Sequence, residues 1–242
     1  MIHALLRRLR GFLPAAQAPD AHFRLDGAAI DDLMTQLRRL LSSPDAGQLA
    51  HLDDLMHRSE SPFNWIRVDD LPTLLNRSDD ASALLRALTA HSSGYIRESA
   101  LRELAHRNES DLLRFLILRS NDWVEPISQF ASAEAAARMR SIDLATLADS
   151  FPLLVLLAGQ ARRDHSALLE IARARLRSDC GEALIQASGK WSNRSRRAAF
   201  SWVLPSVDDP NAFALERALI DRDPVTRIAA VHRLAEVPTA TG

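Results

Sequence analysis

Apolar residues recur every three or four positions along most of the chain, with short polar breaks between the periodic runs. Ile96, Ala100, Leu101 and Leu104 make one such stripe, which places them on a single helix face. The pattern predicts a first helix pair over 27–42 and 45–58, with Ser43 as cap and Pro44 at the first helical position. "SESPFNW" reads as a loop and 69–77 as a short helix. Later pairs are predicted at 81–90 with 94–106, 110–119 with 123–139, 143–158 with 164–178, 181–188 with 193–204, and 211–220 with 224–236. Pro152 lies inside 143–158 and predicts a kink or split near Ser150, and Pro205 closes the helix ending near Leu204. Pro126 is tolerable early in its helix. With Asp122 rather than Asn121 as cap, it forfeits only a bond to the cap carbonyl. No stretch joins β-branched enrichment to period-two alternation, so the expected class is all-α.

Four of the second helices align on one template. The cap column reads Ser93, Asn121, Ser192 and Asp223, all able to accept from a free first-turn amide, worth roughly 1 kcal/mol each. Three positions on stand Ile96, Val124, Ser195 and Thr226, and four on Arg97, Glu125, Arg196 and Arg227. Seven on stand Ala100, Ser128, Ala199 and Ala230, a small column that lets a neighbouring helix approach. Eleven on stand Leu104, Ser132, Val203 and Leu234. The starts are separated by 28, 71 and 31 residues, and the long interval holds a further pair whose second helix starts near Asp164. A lone pair cannot bury its apolar face, whereas stacked neighbours can. The expected architecture is a right-handed α-solenoid of about five to six antiparallel helix pairs. Residues 1–26 form a basic amphipathic segment and linker, 27–80 divergent N-terminal helices, 81–237 the repeat array and 238–242 a tail.

"GYIRESALRELA" and "DPVTRIAAVHRLAEV" resemble the second helix of HEAT repeats, with a turn carrying Asp or Pro, then Val-Arg, a small residue and Leu. "DLLRFLILRSNDWVEPISQFA" resembles the helix–turn–helix of bacterial HEAT-like proteins. The likeness is carried by 81–139 and 211–237, is weaker over 181–204 and is poor before 80. Glu125 stands where the family has a basic residue and Ser195 where it has Val. The resemblance implies a scaffold that binds a protein partner on a concave surface formed by the second helices.

Composition narrows the function classes. The 242 residues suffice for one large domain or an elongated array. The net charge of −1 argues against a general polyanion binder. The distribution is uneven: 20–80 holds 12 acidic and 6 basic side chains, and 160–202 holds 9 basic and 4 acidic ones. Cys180 is the single cysteine, which excludes an intramolecular disulfide and a cysteine-based zinc site and suits a cytoplasmic location. "MIHALLRRLRGFLP" is amphipathic but lacks the apolar core of a secretory signal. The longest apolar run, "FPLLVLLA" at 151–158, is far short of the ~20 residues of a membrane span.

The candidate chemistry concentrates in the basic segment. Arg162, Arg163, Arg173, Arg177, Arg194 and Arg197 accompany Trp191 and Trp202. Basic groups beside aromatics can hold phosphates and stack bases, or meet an acidic protein surface. The plain alternative is local charge variation. "WSNRSRRAAFSWVL" also resembles a repeat of the HEAT-like alkylpurine DNA glycosylases, which implies a concave aromatic cleft with a catalytic Asp, and no Asp here takes that role. Glu98 with Arg102 and Glu103 with Arg107 read as solvated i,i+4 pairs, and Arg97 and Arg227 alternatively as an inter-repeat ladder with acidic neighbours. His51, Asp54 and His57 share one helix face but lack zinc-protease spacing, and Cys180 has no nearby histidine. No phosphate loop or nucleophile elbow is present. The expectation is a non-enzymatic scaffold without cofactor, binding a protein through its concave face or its ends. Nucleic-acid binding through 190–202 is the alternative. The final helix, 224–236, offers Val225, Ile228, Val231 and Leu234 as a docking or homodimer surface.

Overall fold

The computed structural model describes residues 35, 66, 75, 81–107, 111–160, 162–178, 181–204 and 212–236. The expectations for 1–26, for the helices within 27–80, for His51, Asp54, His57 and Cys180, and for Pro205 lie outside these residues. Among the described residues the chain is all-α, with eleven helices and no strand. They are α1 (Ala81–Leu88), α2 (Gly94–Arg107), α3 (Leu112–Ser120), α4 (Glu125–Ser141), α5 (Leu144–Asp149), α6 (Phe151–Ala158), α7 (Ser166–Arg177), α8 (Glu182–Ser188), α9 (Asn193–Val203), α10 (Ala212–Leu219) and α11 (Pro224–Glu236). They fall into two compact units, one ending at Ala131 and one beginning at Ser132.

In the first unit α2 packs on α1 and α3, and Leu84, Leu88, Leu101, Leu104, Leu113 and Leu116 fill the interior. In the second, α8 packs on α5, α9 and α10, α9 also lies against α6 and α7, and α11 packs on α10 and α9. Phe151 anchors that core: Trp191 stacks on it at 5.4 Å and Trp202 meets it edge-on at 4.8 Å. Gly181 permits the close approach of α8 to α9. Its φ is +73°, and a Cβ there would sit 2.3 Å from a Val203 methyl, so both backbone and space require glycine.

The segment 143–158 is split at Ser150 as Pro152 predicts, giving α5 and α6 with Pro152 in the first turn of α6. The second pair is shifted from its expected register. Helix α4 begins at Glu125, three residues later than a cap at Asn121 requires. The reason lies in Asp122, whose Oδ1 accepts the Val124 amide at 2.9 Å and closes a turn there. Pro126 then occupies the second helical position, where no intrahelical amide bond is needed.

With this start, the five second helices α2, α4, α7, α9 and α11 share one register. The seventh residue of each is alanine: Ala100, Ala131, Ala172, Ala199 and Ala230, none more than 1% exposed. Ala131 thus replaces Ser128 in the small column. The third residues Ile96, Ile127, Leu168, Ser195 and Thr226 are buried as well. The starts of α2 and α4, and of α9 and α11, are each thirty-one residues apart.

Candidate interaction surfaces

Two of the turns before the second helices each place an aspartate on a buried arginine. Arg97, the fourth residue of α2, is completely buried and donates from Nε and an Nη to the two Asp122 oxygens at 2.8 and 2.9 Å. Its other Nη donates to the carbonyls of His91 and Ser92. Arg196, the fourth residue of α9, donates from one Nη to Asp221, again a buried pair and again twenty-five residues apart, while its Nε makes no such bond. Asp221 Oδ1 accepts the Asp223 amide at 2.8 Å, as Asp122 accepts that of Val124. Burial opposes ionisation of Asp122, but hydrogen bonds from Arg97 and the Val124 amide, with the charges of Arg97 and Arg119, outweigh it and hold its pKa below the usual aspartate range. Arg227, the fourth residue of α11, has half of this wiring. Its Nη1 donates to the carbonyls of Asp221 and Arg222, six and five residues back as for Arg97. Among the described residues no carboxylate pairs with Arg227, which is exposed.

The basic segment is less open than its composition implies. Trp191 and Trp202 are buried against Phe151, so neither presents a free ring for stacking. Arg173 is exposed and lies over the Trp202 ring at 4.9 Å, while Arg177 donates to the Trp202 carbonyl. Arg197 holds Asp223 through both oxygens at 2.6 and 3.0 Å. The hydrogen bonds from Arg197 lower the Asp223 pKa to about 2, against a weaker effect of burial. Lys190 pairs with Asp149 at 3.0 Å. Arg162 and Arg194 are exposed, Arg163 is half-buried, and the Arg194 guanidinium lies beside Gly159. The structure thus gathers Arg173, Arg177, Trp191 and Trp202 around Phe151 and turns Arg197 into the next turn.

Among the described residues, four of the seven exposed large hydrophobic side chains belong to α11. Val225, Ile228, Val231 and Leu234 are 47, 57, 56 and 45% exposed. Only Thr226 and Ala230 of this helix are buried. A cleft of about 500 Å³ opens nearby in sequence between α8, α9 and α10, lined by Ile185, Phe200, Phe213 and Ile220 with Arg217 and Arg222. Arg196 also lines it, and its buried Nε has no hydrogen-bond partner among the described residues.

The periodicity pointed to the α11 stripe directly. An acidic inter-repeat neighbour for Arg97 was among the expectations, but neither Asp122 nor Asp221 could be named because no local spacing links residues twenty-five apart. Exposed Trp123, which stacks over the Arg97 guanidinium at 5.4 Å, and exposed Ile220 carried no local signal either. Among the described residues no cluster of three His, Cys, Asp or Glu could hold a metal ion, and no helix is long and apolar enough to cross a membrane. Comparison with protein-family models, with curated proteins and with solved structures finds no match.

Proposed function

We propose that the helix pairs are HEAT-like repeats of one unit and that the chain is a non-enzymatic interaction module that engages a protein partner through α11. The exposed apolar stripe Val225–Ile228–Val231–Leu234 carries this reading. A contiguous apolar face on a helix otherwise held by its buried side is the usual mark of a docking surface. The buried tryptophans and the ion-paired Arg196, Arg197 and Lys190 favour a protein over a nucleic acid as the partner.

The test is a photo-crosslinking amino acid placed in vivo at Ile228 and, as control, at exposed Gln129 of α4. A discrete protein adduct from position 228 and none from position 129 is expected. The absence of an adduct at 228, or retardation of single-stranded DNA by the purified chain at moderate salt, would sink the reading.

A further inference from the structure

Three second helices carry the same trio, an arginine at the fourth residue followed by apolar residues at the eighth and eleventh. These positions are i, i+4 and i+7 and share one stripe. In α2 the trio is Arg97, Leu101 and Leu104, all fully buried. In α9 it is Arg196, Phe200 and Val203, all at most 5% exposed. In α11 it is Arg227, Val231 and Leu234, all exposed.

What covers the α9 trio is visible. The hairpin α10–α11 packs on α9, and its turn delivers Asp221 to Arg196. The turn before α4 delivers Asp122 to Arg97 in the same way. Each turn aspartate also accepts the backbone amide two residues on. The α11 trio retains its arginine, already fixed by the Asp221 and Arg222 carbonyls, and its apolar pair. Among the described residues, no carboxylate reaches Arg227 and its apolar pair stays exposed.

We infer that α11 receives a helical hairpin from a partner protein, and that the turn of this hairpin carries an aspartate taking Arg227 as Asp122 takes Arg97 and Asp221 takes Arg196. The inference rests on the reading of α11 as the contact surface and specifies the partner's chemistry. A second copy of the chain is a poor occupant. Among the described residues its turn aspartates Asp122 and Asp221 are already engaged, the equivalent place before α2 is His91, whose Nδ1 accepts the Ser93 amide, and that before α7 is Arg163. Only the exposed Asp164, one position further on, is left to offer, and sedimentation of the ungrafted chain is expected to decide against it. The guanidinium also sets the register. A hairpin with apolar surface alone would leave it covered and without a counter-charge, which is strongly unfavourable.

The experiment supplies the cover in cis, in the full chain. A duplicate of residues 206–236 is inserted after Glu236, which places the second Asp221 twenty-five positions beyond Arg227, the spacing of the two observed pairs. A parallel insertion of residues 107–137 places the second Asp122 at the same distance, so failure of one grafted sequence is separable from failure of the idea. In at least one graft the thermal midpoint is expected to rise by on the order of 5 °C. The α11 amides should exchange more slowly. Changing the grafted aspartate to Asn, or Arg227→Ala, should remove most of this gain, with the double variant no worse than either single one. The inference is overturned if neither graft protects α11, or if the gain ignores both Arg227 and the grafted aspartate. It is also overturned if the ungrafted chain self-associates through α11 by sedimentation. A crosslink at Ile228 with failed grafts would leave the interaction surface standing and remove only the hairpin.

Discussion

A guanidinium with no exposed surface, such as that of Arg97, cannot be read as a solvated charge. Its neighbours Glu98–Arg102 and Glu103–Arg107 are partly exposed i,i+4 pairs, as their spacing predicts. Arg97 itself immediately precedes them in sequence and belongs to a different environment. Its partner is Asp122, and Arg119 also approaches Asp122 at 3.4 Å. Removing Arg97 leaves a buried carboxylate whose nearest cation is at this longer distance, with the Val124 amide still donating to it. Arg97→Ala is therefore expected to cost about 3–5 kcal/mol, near the lower end because Arg119 remains. Arg107→Ala should cost no more than about 0.5 kcal/mol. Urea unfolding of the two variants checks the contrast, and equal losses would mean that the Arg97 pair contributes no more than a surface one. Nothing local in "GYIRESALREL" separates these arginines. The helix face of Arg97 is legible, but what lies across from it is set by a turn twenty-five residues away.

The same reach of the turns explains which helices were legible. The periodic runs located the helices after residue 80 to within a few residues, and Pro152 located the split at Ser150. The start of α4 was misplaced because Asn121 is as good a cap by composition as Ser93 or Ser192. Asp122 decides the matter by serving Arg97 and the Val124 amide at once. The turn aspartates also make the helix junctions acid-sensitive. Asp122 and Asp223 both have folded pKa values below the ordinary 3.8, that of Asp223 at about 2. A depressed folded value means that the unfolded chain takes up protons first. The stabilisation is therefore complete above 3.8 and is lost as pH falls towards about 2. Urea midpoints are expected to hold from pH 7 to about 5 and to drop steeply below pH 4. Asp223→Asn should lower the midpoint at pH 7 and flatten the acid limb. An unchanged slope in that variant would show that Asp223 does not carry the effect.

Across the whole molecule, the two bulk signals in the sequence had unequal value. The basic surplus of 160–202 suggested a surface, but Arg196, Arg197 and Lys190 in it are ion-paired to Asp221, Asp223 and Asp149, partners supplied by segments outside it. Charge counted in a window misses partners brought in by the fold. The apolar stripe of α11 kept its meaning, because a helix face needs no distant partner to be recognised. Among the described residues the stripe has no cover, and a matched pair of substitutions can measure this. Leu176 and Leu234 are both the eleventh residue of their helices, α7 and α11, in the same unit, and they are 1% and 45% exposed. Leu176→Ala empties a closed site and is expected to cost about 2–5 kcal/mol. Leu234→Ala removes a half-exposed side chain and should cost under about 1 kcal/mol in the free chain. Equal costs in urea unfolding would mean that α11 is covered in solution, and the case for a docking face there would fall with them.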